Sequence, residues 1–120
     1  MTHDEVTGLI LAGGQGRRMG GRDKGLEPFG SARLVEHARR CLEGRVAEVL
    51  INANRHIDEY RTLGSRVVCD RESGYQGPLM GIWSGLEAAD TPWVVVVPCD
   101  SPALPEDLVE RLIAAIGEAD

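Results

Sequence analysis

The chain has 120 residues, 42% of them hydrophobic and 27% charged, and 13 Lys and Arg against 19 Asp and Glu give a formal charge of −6. That length holds one domain, and the apolar share is enough for a core, which excludes intrinsic disorder. The negative balance argues against nonspecific binding to nucleic acid or an anionic membrane, and the longest strongly apolar stretch, Trp93–Val97, is far too short to span a bilayer.

The chain opens on polar and acidic residues, unlike the basic start of a secretory leader. Thr7–Leu11 is a short apolar run that ends in glycines and reads as a strand. Six glycines (Gly13, Gly14, Gly16, Gly20, Gly21 and Gly25) then share one window with Arg17, Arg18, Arg22, Lys24 and a single Asp23. An acidic chain thus gathers four cations on one loop. Lys24 is its only lysine beside twelve arginines, a compact point charge where the others are planar forks. Leu34, Val35, Ala38, Cys41 and Leu42 recur at helical spacing and predict a helix over 32–43. Val46–Ile51 reads as a strand stopped by Asn52, 56–63 as a short helix, and Arg66–Cys69 as a strand stopped by Asp70. Pro78 suits a first helical position, and Leu79, Ile82, Trp83 and Leu86 fall on one face of the helix that follows, to about Ala89. No charge occurs from Gly74 to Leu86, so that helix is expected to lie mostly buried. Trp93–Val97 shows no alternation and reads as a strand covered on both faces. Pro105 is expected to open a last helix, with Glu106 and Asp107 in its first turn.

Strands and helices therefore alternate. The pattern predicts an α/β fold, a Rossmann-like parallel sheet flanked by helices in three α/β/α layers, as one domain over residues 1–120. Ligands of such sheets bind beyond the carboxyl ends of the strands. Those ends carry Ala12-Gly13-Gly14, Asn52, Asp70 and Asp100, so a glycine loop, an amide and two carboxylates converge on one edge.

The loop fits neither familiar phosphate motif. A dinucleotide fingerprint would need glycine at Met19 and an acid near Asn52, which disfavours a nicotinamide dehydrogenase; a P-loop would need Lys followed by Ser or Thr. Its physics is still that of an anion nest, since amides without Cβ obstruction and four cations suit a polyphosphate. Asp100 beside phosphates would be repelled unless a hard cation such as Mg²⁺ lay between them; a turn aspartate before Pro102 is the plainer alternative. Asp70 could accept two N–H donors from a base edge such as guanine's, or simply close a turn. The segment 52–55 is also compatible with an ordinary cap through Asn54. His3, His37 and His56 are scattered and read as surface positions, and Cys99 as a small buried residue. Cys41, Cys69 and Cys99 are far apart and odd in number, neither a disulfide framework nor a zinc site, so a reducing cytoplasm is the expected location.

The run from Leu11 to Leu26, LAGGQGRRMGGRDKGL, resembles the signature of the molybdenum cofactor guanylyltransferase family. Its first half is shared with the wider nucleotidyltransferases; the continuation MGGRDKGL is more specific. Residues 52–55, 77–79 and 98–102 are similar to that family too, in order. The resemblance implies transfer of GMP from GTP to Mo-molybdopterin, with release of pyrophosphate. It implies GTP contacts at Leu11, Ala12, Gly13, Lys24, Asn52, Asp70 and Asp100, with Asp100 as the Mg²⁺ ligand; the charge of two anionic reactants then makes Lys24, Arg17 and Asp100 the expected catalytic groups. With right-handed crossovers it also implies the strand order 3-2-1-4 and a C-terminally incomplete sheet, because the family's members are longer. Expected partners are the two substrates, with a second copy of the chain or the molybdoenzyme-assembly machinery beyond them, and no nucleic acid or membrane. The competing readings are a nucleotidyltransferase of cytidylyl or sugar-phosphate type, and a truncated module that binds GTP without turnover.

Overall fold

A computed structural model describes residues 3–12, 26, 28–30, 32–71, 79–100 and 104–119. A single 3₁₀ turn at His3–Glu5 leads into β1 (Val6–Leu11); β2 (Pro28–Phe29) and β3 (Ala32–Arg33) form a small antiparallel hairpin, and α1 spans Leu34–Leu42. Then follow β4 (Glu48–Asn52), α2 (Ile57–Arg61), β5 (Arg66–Val68), α3 (Leu79–Ala88), β6 (Trp93–Pro98) and α4 (Leu108–Ala119). The main sheet is parallel throughout, ordered β5-β4-β1-β6. Its strands stand third, second, first and fourth along the chain, which is the expected order.

Alternation along β1 sorts the two faces. Ile10 and Ala12 join Ile51, Ala53, Val97 and Cys99 beneath Val35, Ala38 and Leu42 of α1, Tyr60 of α2 and Val109 of α4. Leu9, Leu11 and Asn52 face α3 instead. Fully burying residues such as Ile10, Leu42 and Ile51 is worth about 1.5–3 kcal/mol each. α1 stops where the Glu43 N–H returns to Arg39 O, and Gly44 follows at φ +79°, a conformation that glycine adopts without strain.

Four expectations need correction. The first concerns α3, which does not bury its leucines or its tryptophan: Leu79 is 78% exposed, Trp83 42% and Leu86 52%. Met80, Gly81, Ser84 and Gly85 form the buried face. A Cβ on Gly85 would fall inside van der Waals contact of Leu9, 2.7 Å from Cδ1, and one on Gly81 would strike the Asn52 carboxamide. The helix backbone is seated directly on the sheet, and that close seat turns the bulky side chains outward.

The second concerns β6, which is not covered on both faces. It lies at the sheet edge, Val96 is 37% and Trp93 43% exposed, and within β6 only Val97 is fully buried. α3 packs over β1, β4 and β5 but makes no comparable contact with β6. The third is the start of α4, at Leu108 rather than at Pro105. Pro105 O accepts the Leu108 N–H, and Glu106 and Asp107 form the turn before the helix. The fourth is the start of α1, at Leu34, because Ala32 and Arg33 are extended and form the second strand of the hairpin.

Candidate functional site

The parallel strands deliver their carboxyl ends to one edge. Leu11 ends β1 in register with Asn52 on one side and Pro98 on the other. The ladder continues past the strand ends, because the Ala12 N–H donates to Asn52 O (2.8 Å), the Cys99 N–H to Leu11 O (3.1 Å) and the Ala53 N–H to Val68 O (3.1 Å). These bonds fix where the chain leaves each strand. Asp70 and Asp100 emerge from the two outer strands of the four, which puts them three strand spacings apart, roughly 14 Å. An elongated ligand of that length could lie along the edge between them.

Asn52 is the best-fixed polar group of this edge. It is 2% exposed, and its Nδ2 donates to Val68 O (3.1 Å) and to Asp70 Oδ1 (2.9 Å). Both partners are acceptors, so the NH₂ group must face them and Oδ1 must turn to Gly81. The Asp70 N–H in turn donates to Asn54 Oδ1 at 2.7 Å. One residue on, the Arg71 N–H donates to Ser84 Oγ (2.9 Å), whose hydroxyl donates to Met80 O in α3 (2.8 Å). The Arg71 side chain lies 4.8 Å over the Trp83 ring and pairs with Glu87 at 2.7 Å. Asp70 is half-buried, and Asp100 is exposed directly after the buried Cys99.

Leu11, Ala12, Asn52, Asp70 and Asp100 are thus brought to one edge, while Gly13, Arg17 and Lys24 lie outside the described residues. Asn54 is not the cap of α2: that place belongs to His56, at φ 53° with no side-chain cap bond. Asn54 and Ser84 are the residues that sequence reasoning missed. The signal for Asn54 was its place two residues after Asn52 at a strand end; for Ser84 it was the run of Gly81, Ser84 and Gly85 at helical spacing. Cys41, Cys69 and Cys99 form no disulfide, and burial pushes the Cys41 thiol above its ordinary value, with Arg45 opposing and Glu106 adding to the shift. Among the described residues, no three His, Cys, Asp or Glu side chains cluster in a way that could hold a metal, and no helix is long and apolar enough to cross a membrane.

Comparison with known proteins agrees with this geometry. A family model described as a MobA-like NTP transferase domain matches residues 8–120. A protein of Cupriavidus metallidurans named molybdenum cofactor guanylyltransferase is 48% identical over the whole chain, which covers 59% of that relative. One of the same name from Ralstonia nicotianae is 50% identical over 96% of the chain and 56% of its own length. The chain therefore spans under three fifths of these relatives. Among solved structures, 4-diphosphocytidyl-2C-methyl-D-erythritol synthase of Anaerococcus prevotii superposes with a TM-score of 0.71 at 18% identity, over 95% of this chain and 51% of that one, a likeness of fold alone. The family match, the near-half identity to both relatives and the converging strand ends together establish that the chain belongs to the MobA-like NTP transferase domain family.

Proposed function

We propose that the carboxyl edge binds GTP and that the protein transfers GMP to Mo-molybdopterin, releasing pyrophosphate. The observation that carries this reading is the convergence of Leu11, Ala12, Asn52, Asp70 and Asp100 on one edge, in a chain about half identical to proteins named for that reaction.

Asp70 reads the base. An ionised carboxylate has about four lone-pair sites. Asn52 fills one of them, leaving acceptors on both oxygens for the adjacent N1–H and 2-amino donors of guanine. Cytosine and adenine present no such pair of neighbouring donors. Ala12, which carries only a methyl, lets the nucleotide approach the backbone at the end of β1.

The phosphates extend toward Asp100 and the glycine loop. Asp100 would hold Mg²⁺ as one hard-oxygen ligand, the kind of donor this ion takes when it binds with a nucleotide's phosphates. Bound there, Mg²⁺ supplies charge neutralisation at the α-phosphate. Lys24 adds a point charge at the same phosphate, and Arg17 with the loop amides holds the β- and γ-phosphates. A phosphate oxygen of molybdopterin attacks the α-phosphorus of GTP. A new P–O bond forms, the bond from the α-phosphorus to the bridging oxygen breaks, and the electron pair leaves on pyrophosphate. The nucleophile is already ionised at neutral pH, so the residues position and neutralise rather than abstract a proton. The reaction is assigned to the cytoplasm. Release of pyrophosphate from GTP, Mg²⁺ and Mo-molybdopterin tests the reading; release that is equal with CTP or ATP contradicts it.

A further inference from the structure

We infer that Asn52, Asn54 and Ser84 are positioning residues that aim the Asp70 carboxylate, so that base selectivity depends on three side chains besides the one that reads the base. The inference rests on the reading of Asp70 as the base-recognising group.

Asp70 follows β5 on a segment with no ladder of its own, and a carboxylate on an untethered turn would sample many directions. Three side chains from three places remove that freedom. Asn52, at the end of β4, holds the carboxylate by donating from Nδ2 to Asp70 Oδ1. Asn54 holds the backbone of the same residue through its N–H. Ser84, in the buried face of α3, holds the next peptide and is itself anchored on Met80 O. The Arg71 side chain, stacked on Trp83 and paired with Glu87, closes the segment from the outer side.

Asn52 is 2% exposed and spends both Nδ2 bonds inside the protein, which suits it to orienting Asp70. Gly81 belongs to the same frame, because any side chain there would displace the Asn52 carboxamide, with a Cβ only 2.9 Å from Cγ. Bidentate recognition of two adjacent donors requires the plane of the carboxylate to match the plane of the base. Loosening any one tether therefore weakens recognition of the second donor first.

The experiment compares dissociation constants for GTP and ITP, which differ only in the 2-amino group, at pH 8 in the unaltered chain and in Asp70→Ala, Asn54→Ala, Asn54→Asp and Ser84→Ala. The unaltered chain should prefer GTP, and Asp70→Ala should bring the ratio close to one. Asn54→Ala and Ser84→Ala should each lower the ratio by about three- to tenfold, the effect of one lost hydrogen bond. Asn54→Asp keeps an oxygen for the Asp70 N–H and should restore most of it, which a role confined to stability would not produce. Asn54 is exposed, so Asn54→Ala should melt within about 3 °C of the unaltered chain; Ser84→Ala serves if it does not. If Asp70→Ala collapses the ratio while both alanine variants keep it, the positioning role is overturned and the base reading stands. Equal GTP and ITP affinities in the unaltered chain, or a ratio that Asp70→Ala leaves intact, overturn the base reading and the positioning role with it.

Discussion

Adding one methyl group at Gly85 should destabilise the domain, although alanine is the better helix former. Helix propensity alone favours Gly85→Ala by about 1 kcal/mol. Against that, the new Cβ would stand 2.7 Å from Leu9 Cδ1 and 3.0 Å from Cγ, with Cδ2 closer still. Leu9 is fully buried in β1 between two strands, so its side chain has nowhere to retreat. Overpacking of this kind costs about 1–3 kcal/mol, occasionally more. With three atoms of one side chain struck, the upper part of that range applies. The net loss is then about 1–2 kcal/mol, or roughly 3–10 °C in melting temperature for a domain of this size. Leu79→Gln and Leu86→Gln remove large apolar side chains from the same helix yet should change stability by no more than about 0.5 kcal/mol, because both face solvent. Urea unfolding followed by tryptophan fluorescence reads all three variants, with an unchanged slope showing that stability alone has moved. Pairing Gly85→Ala with Leu9→Val should recover part of the loss, a coupling that additive sites would not show. If Gly85→Ala is as stable as the parent while the glutamine variants unfold, α3 packs by its leucine face and the reasoning fails.

Three further outcomes follow from the site and the surface. Asp100→Asn should melt with the unaltered protein, being exposed, yet lose Mg²⁺-dependent pyrophosphate release; turnover within about twofold of normal would place the metal elsewhere. In the native chain a thiol reagent should label Cys69 rapidly and the buried Cys99 and desolvated Cys41 slowly, with all three reacting in denaturant; the raised Cys41 pKa means less thiolate there at any pH below it. Val96 stands exposed on an apolar edge strand, so the chain should self-associate as its concentration rises and Val96→Lys should reduce this in light scattering; a parent that stays monomeric contradicts the edge argument.

The sheet was legible in the sequence because strand order follows from alternation and handedness, and these survive errors of a residue or two at element ends. The face of α3 was not, because apolar periodicity marks where large side chains gather. Here the determinant was size: Gly81, Ser84 and Gly85 let the helix backbone approach Leu9 and Asn52 closely. β6 reads as a doubly covered strand by composition, yet the expected strand order already sets it at an edge, and there Trp93, Val96 and Pro98 stay exposed. Sequence reasoning brought Asn52, Asp70 and Asp100 to one edge correctly, since strand ends fix position. It could not see that the Asn52 amide turns inward to Val68 and Asp70, because hydrogen-bond direction depends on the register between β4 and β5.

Recognition of guanine is most directly tested by thermal unfolding of the chain with Mg²⁺ and GTP, CTP or ATP at equal concentration. GTP at 100 times its Kd should add about 2.7 kcal/mol of stability, a rise on the order of 10 °C, and the other two nucleotides much less. Equal shifts for all three would contradict the assignment of Asp70 to the base and, with it, a guanylyltransferase site at this edge.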